Sequence, residues 1–374
     1  MRRRRLIFRA IVAFAIFSSI FIFYGVPSLI NTFMDSMLRS KSYNVEELEY
    51  TASNREFSTS GSRSHVNIAI VMVVLGHKAI AIYQKAMLTV SCYARVQGYD
   101  FRILNSTHYE GRCPQKDGFF QRHCIVAHVL PTYDYILFLD ADMGVANPKR
   151  RIEEYIDPKV DIIFYDRFYN WEITIGSYLV KNTSWSRDFL LNFAKYEERL
   201  PKSFHGTDNG AIHAYIAEII LGKNDVNLAR CMQMYNSSKN WDDLFLYEAC
   251  IRNILGNNTT LGKMKILPKG VAWARDNWIT NSLWSLERDF IIHGWKENQL
   301  STYWFTPVKI VSKLDDRWYN PLAGAIELSL CTQGNTSWQY DKNLLVSKNV
   351  IDRRLLDLAK EVEKKKALML SKLQ

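Results

Sequence analysis

The chain has 374 residues, 48% of them hydrophobic and 13% aromatic. That excludes a disordered or low-complexity protein and allows a sizeable core. The formal net charge of +10 sits at the ends: residues 1–30 hold five arginines and no acid, and residues 341–374 hold nine Lys/Arg against five Asp/Glu. The middle is close to neutral, so no nucleic-acid groove is expected.

Five arginines in a 1–9 tail, four of them consecutive, precede an uncharged segment, Ala10 to Ile30. About 20 apolar residues cross a bilayer, so this segment predicts a signal anchor with the arginines cytoplasmic and the body lumenal. A cleaved signal peptide is the alternative, but no small-x-small site follows the apolar run. Residues 31–64 are polar and Ser-rich, which predicts a stem.

The body is expected over 65–340. "VNIAIVMVVL" predicts a strand buried on both faces, "AIAIYQKAMLTVSCYARVQG" a helix ending at Gly98, and "YDFRILN" a second, parallel strand. A helix over Phe119 to Leu130 stops at Pro131, and the strand "YILFL" follows. "VDIIFYD", "IGSYLV", "MKILP" and "DFIIHGW" read as further strands. "SWSRDFLLNFAKYEERL", "DNGAIHAYIAEIIL" and "WDDLFLYEACIRNILG" read as helices. Residues 341–374 predict a charged amphipathic helix packed by one face. The order implies an α/β fold around one mostly parallel sheet.

Sequons at Asn105, Asn182, Asn236, Asn257, Asn258 and Asn335 fit a secretory chain. Cys92, Cys113, Cys124, Cys231, Cys250 and Cys331 form no CxxC pair, which argues against a zinc ribbon. Two or three disulfides are expected, with pairing unassignable from sequence; buried thiols are the alternative.

The chemistry concentrates at Asp140 and Asp142, where an apolar strand ends in two carboxylates one residue apart. Ligands of parallel α/β sheets bind beyond the carboxyl ends of strands. Two acids so close raise each other's pKa unless a cation joins them. Mn²⁺ or Mg²⁺ suits them, taking further ligands from substrate phosphates. The competing reading is a pair of exposed turn residues before Gly144.

A strand ending in Asp-X-Asp resembles the metal-binding signature of nucleotide-sugar glycosyltransferases with the GT-A fold. "GSYLVKNTSWSRDFL", "HGTDNGAIH" and "FIIHGWKENQ" resemble segments of retaining transferases, the yeast α-galactosyl- and α-1,6-mannosyltransferases and plant xyloglucan xylosyltransferases. The chain also resembles a nematode-expanded family of type II membrane proteins sharing the "LDAD" core.

The resemblance spans about 66–300 and implies a Rossmann-like GT-A domain acting in the Golgi or another secretory-pathway membrane. Its substrates would be a UDP- or GDP-linked sugar and a glycan or glycoprotein acceptor, with transfer of a hexose or pentose under retention. It implies Asp140, Asp142 and His293 as metal ligands, with Asp140 also at the donor ribose. Asn209, Gly294 and Lys296 would face the donor, Asp208 the reacting centre, and Gly176 and Ser177 the acceptor side. One departure is that His293 is followed directly by Gly294, where the family places two residues between them.

Imidazole is a good Mn²⁺ ligand, which supports His293; a histidine satisfied by a carbonyl is the plainer reading. Asp208 also suits a helix N-cap. Arg122 and Lys116 suit a diphosphate or an ordinary surface. Trp171, Trp273, Trp278, Trp284 and Trp295 suit sugar rings or, more simply, a core. Two other functions remain open: a phosphatase-like hydrolase with Asp140 as nucleophile, and an inactive transferase fold that only binds.

Overall fold

The computed structural model describes residues 43–52, 66–76, 78–300 and 318–371. The expected anchor, Ala10 to Ile30, lies outside them. Among the described residues no helix is long and apolar enough to cross a membrane.

In chain order the elements are β1 (Ile68–Val74), α1 (Lys78–Gln97), β2 (Asp100–Asn105), α2 (Gly118–Val129), β3 (Tyr135–Leu139), β4 (Met143–Val145), β5 (Ile162–Tyr165) and β6 (Ser177–Lys181). There follow α3 (Ser184–Ala194), α4 (Thr207–Leu221), α5 (Val226–Ser237), α6 (Trp241–Ile254), β7 (Thr260–Leu261), β8 (Met264–Leu267), β9 (Ala274–Asp276), β10 (Ile291–His293) and α7 (Lys348–Ser371).

The main sheet runs β2-β1-β3-β6-β5-β8-β7. β1 pairs in parallel with β2 and β3, and β5 with β8. The sheet is mostly parallel, as expected, but β6 runs antiparallel between β3 and β5, and β7 antiparallel to β8. An apolar run such as "SYLV" specifies burial on both faces but no direction. The fold is mixed α/β, with five strands of the main sheet pointing one way.

Each of β1, β3 and β5 is buried almost throughout, as its Val/Ile/Leu/Phe run requires. Helices α2, α3, α4 and α6 cover one face, with Phe120, Phe193, Ile212 and Tyr247 fully buried among strand residues. Side-chain caps start these helices where the sequence offers them: Asp117 accepts from Phe119 N–H, and Asn240 from Asp243 N–H. α4 is the exception. Gly206 just before it and Thr207 at its first position have φ of 61° and 54°, and no side chain caps it. Asp208 is therefore not a cap.

Part of the expected stem, 31–64, is docked on the body. Leu48 is fully buried, Tyr50 pairs with Phe101 at the edge of β2, and Glu49 bonds Arg102. The tail helix α7 packs through Ile351, Leu355 and Val362. All six cysteines are paired, as Cys92–Cys331, Cys113–Cys124 and Cys231–Cys250, so the thiol alternative falls away.

A second sheet, β4-β10-β9, does what no sequence pattern foretold. β4 begins directly after Asp142, lies antiparallel to β10, and β10 lies parallel to β9. Its register sets His293 opposite Met143 on one side and Asp276 on the other.

Candidate functional site

Asp140 and Asp142 lie beyond the carboxyl end of β3. The Asp142 carbonyl accepts from Gly294 and Trp295 N–H at 3.0 and 2.8 Å, which ties the end of β10 to the acidic turn. Gly294 has φ +105°, a conformation open to glycine, and this lets the chain turn back immediately after His293. Gly144 is not in a turn. It is the middle residue of β4, where an added Cβ would fall 2.7 Å from the Trp295 ring.

One ligand atom from each of Asp140, Asp142 and His293 lies within 4.8 Å of the others. His293 Nε2 is 3.2 Å from Asp142 Oδ1, and His293 Nδ1 is 2.8 Å from Asp276 Oδ1. An ionised carboxylate only accepts, so Nδ1 carries the proton given to Asp276. In the neutral ring this leaves the Nε2 lone pair facing a carboxylate oxygen. Two acceptors at that distance need a proton or a cation between them. With the proton, the imidazolium is held up to about 10: burial opposes the charge, but Asp142 and Asp276 outweigh it. Asp142 is in turn held well below the usual carboxylate range, because His293 and Lys296 overcome the effect of burial. Lys296 Nζ lies 3.4 Å from Asp142 Oδ2.

Asp140 belongs to a second cluster. Its N–H donates to Gly176 O at 2.8 Å, and a Cβ on Gly176 would fall 2.2 Å from Asp140 Oδ2. Gly176 thus makes room for the carboxylate. Arg122, 7% exposed, donates through Nη1 to Asp140 and through Nη2 to Asp208 Oδ2 at 2.6 Å. His123 Nε2 donates to the same Asp208 oxygen at 3.1 Å, and Tyr178 OH donates to His123 Nδ1 at 3.2 Å. Burial pushes His123 down to about 4, so the ring is neutral at ordinary pH. Burial would raise Asp208, but Arg122 and the His123 bond hold it low. Burial does raise Asp140, with Asp142 adding to it and Arg122 opposing.

The expected ligands Asp140, Asp142 and His293 are therefore brought together, with Lys296 and Gly294 beside them. Other expected residues sit differently. Asp208 is fully buried under Arg122, and Ser177 is fully buried, its hydroxyl shared by Phe138 O and Trp273 Nε1. Asn209 lies in the first turn of α4, its carbonyl taken by His213. Lys116 is anchored through its backbone N–H to Glu197, whereas Arg122 is no surface residue. Trp171, Trp273, Trp284 and Trp295 are buried in the core, and Trp278 is half-buried. Asn236, Asn257, Asn258 and Asn335 are exposed, and Asn105 and Asn182 half-buried.

Sequence reasoning missed Asp276, whose strand is too short to show a pattern. It is 4% exposed and bonded to Arg167, which also pairs with Glu172. It also missed His123. The available signal was "QRH" inside an apolar helix, since buried polar groups require partners.

The molecule is thus an α/β protein with a carboxylate–histidine centre at the carboxyl end of its central strand. It belongs to the family described as "Protein of unknown function, DUF273", whose model matches residues 90–310. No curated protein matches the chain. Among solved structures, it is similar to a glycosyltransferase involved in glycosylating the major capsid of PBCV-1, at 14% identity and TM-score 0.33, over 60% of this chain and 92% of that one. It is also similar to the glycosyltransferase GlyE of Streptococcus pneumoniae TIGR4, at 15% identity and TM-score 0.30, over 48% of this chain and 46% of that one. The chain thus spans under half the length of GlyE. At these scores the likeness by itself assigns no activity.

Proposed function

We propose that this protein is a metal-dependent glycosyltransferase of GT-A type. It moves a hexose or pentose, with retention, from a UDP- or GDP-linked sugar to a glycan or glycoprotein acceptor. The observation that carries this is the meeting of Asp140, Asp142 and His293 at a strand's carboxyl end, with His293 oriented by Asp276. Two carboxylates and an imidazole fit Mn²⁺ or Mg²⁺, and a carboxylate behind a metal-binding histidine fixes its tautomer and raises its basicity. The bound ion would act as a Lewis acid on the departing diphosphate.

The chain's own residues supply the rest. Lys296, partly exposed and 3.4 Å from Asp142, would meet a diphosphate oxygen. Arg122 holds Asp140 in place and keeps a fixed positive charge where negative charge gathers. Asp208 and His123 orient Arg122 and do not themselves reach solvent. Three disulfides and exposed sequons support a lumenal body, anchored in a Golgi or other secretory-pathway membrane through residues 10–30.

The test is calorimetry on the full-length protein in detergent, titrating UDP and GDP with and without Mn²⁺. One nucleotide should bind in a Mn²⁺-dependent way, and Asp142→Asn should abolish that dependence. Nucleotide binding indifferent to both Mn²⁺ and the substitution would overturn the proposal.

A further inference from the structure

Trp241 is the one exposed tryptophan among the described residues, at 50% exposure. It opens α6, and Phe204 meets it edge-on at 5.0 Å between centroids. Phe245, one turn along α6, lies 6.0 Å from Trp241, and Tyr169 lies 6.3 Å from Phe245 and 4.9 Å from Trp278. Five rings from four separate parts of the chain thus form one strip.

Each end of the strip is linked through short stretches of chain to residues of the two carboxylate clusters. At one end, a Cβ on Gly206 would come 3.5 Å from Trp241, so the indole lies over the loop that runs through Thr207 into Asp208, the residue bonded to Arg122. At the other end, Trp278 follows Asp276 by two residues, and the Arg167 guanidinium lies over Tyr169 at 4.9 Å while pairing with Asp276 at 2.8 Å. The rim is polar. Asp242, beside Trp241, is 84% exposed and only loosely paired with Lys365 at 3.8 Å.

We propose that this strip, centred on Trp241, binds the carbohydrate acceptor of the reaction. The inference rests on the function proposed above and names its acceptor as a glycan rather than a bare polypeptide. Aromatic faces pack against the apolar C–H face of a sugar ring, and an exposed carboxylate accepts from its hydroxyls. A membrane surface fits poorly, because Asp242 and Asp243 adjoin the indole and would be repelled by anionic headgroups. Phe245 packs against the buried Trp171, Ala249 and Val362, and Trp241 is the most exposed ring of the strip.

The experiment uses full-length protein in detergent and short, neutral, α- and β-linked hexose oligosaccharides as probes, read by saturation-transfer NMR and calorimetry. At least one probe should bind, and Trp241→Ala should weaken it about tenfold while Trp241→Tyr retains most of the affinity. Mn²⁺–UDP binding, measured on the same samples, should be equal in all three proteins, and it separates failure of the metal site from failure of the strip. No probe binding, or equal binding by Trp241→Ala, overturns the proposal. So does loss of self-association or of vesicle binding in Trp241→Ala with sugar binding intact.

Discussion

Asp276→Asn tests the centre without touching a proposed ligand. Asp276 accepts from His293 Nδ1 at 2.8 Å and from Arg167 Nη2 at 2.8 Å, and both neighbours donate. An asparagine of the same shape has one oxygen to offer and an amide that itself donates. Both donors meet the same oxygen, Oδ1, while Arg167 Nε meets Oδ2 at 3.3 Å. With the amide at the Oδ1 position, the ring is driven to the tautomer that carries its proton on Nε2. With the oxygen there, Nδ1 keeps only a neutral acceptor, and the ring loses the basicity a carboxylate confers. Nε2 faces Asp142 at 3.2 Å, and for a metal it would have no lone pair in the first case and a less basic one in the second. Outer-shell substitutions of this kind cost about 10- to 100-fold in metal affinity, or about 1.4 to 2.7 kcal/mol. Calorimetric titration of Mn²⁺ at saturating UDP measures it. Asp289→Asn is the control, because Asp289 is equally buried and pairs with Arg275 on the same strand at 2.7 Å, yet does not touch His293. Both variants should lose stability, and only Asp276→Asn should lose Mn²⁺ affinity. Equal Mn²⁺ affinity in Asp276→Asn and the native protein would refute the reasoning.

Two further outcomes are expected. Gly176→Ala sets a Cβ 2.2 Å from Asp140 Oδ2, so the carboxylate must swing away. Overpacking of this kind costs about 1–3 kcal/mol, and Mn²⁺ affinity should fall at least about tenfold; thermal melts with calorimetry check both, and unchanged affinity counts against Asp140 as a ligand. Glu248 is fully buried with both oxygens unpartnered by protein, and burial with nearby Glu172 pushes its carboxyl well above the ordinary range. The folded chain therefore keeps a proton that the unfolded chain releases near about pH 4.3. The stability this contributes is complete below that pH and is lost as pH rises towards the folded value. Glu248→Gln removes the loss, so its stability relative to the native protein should grow by up to about 1.4 kcal/mol per pH unit in that window. Denaturant melts at pH 5 and pH 8 read this, and an advantage that does not grow with pH contradicts it.

The long elements were legible because burial on both faces writes a continuous apolar run. β1, β3 and β5, and helices α1 to α4, α6 and α7, fall where those runs and periodicities place them. β4 and β9 are three residues each, too short for any period, and exist because β10 pairs with both. α5, "VNLARCMQMYNS", is too polar to stand out and is held by Leu228, Cys231 and Tyr235, with Cys231 joined to Cys250. The ligand set could be assembled from "LDAD" and "FIIH". Its supports could not, because Arg122–Asp208 and His293–Asp276 are meetings of distant segments that leave no spacing in the sequence.

Those supports answer what neutralises two carboxylates at a strand end. Within the linked clusters stand Asp140, Asp142, Asp208, Asp276 and Glu172, five carboxylates, against Arg122, Lys296 and Arg167, three fixed cations. His123 adds nothing, since burial keeps it neutral. Arg122 is shared by Asp140 and Asp208, and Arg167 by Asp276 and Glu172, so of the three cations Lys296 alone, on Asp142, serves a single acid. The shortfall falls on Asp140, which is pushed upward, and on His293, which is held protonated. A single divalent ion bound by Asp140, Asp142 and a neutral His293 would close the deficit of two charges, and it would do so at the only place in these clusters where three ligand atoms converge.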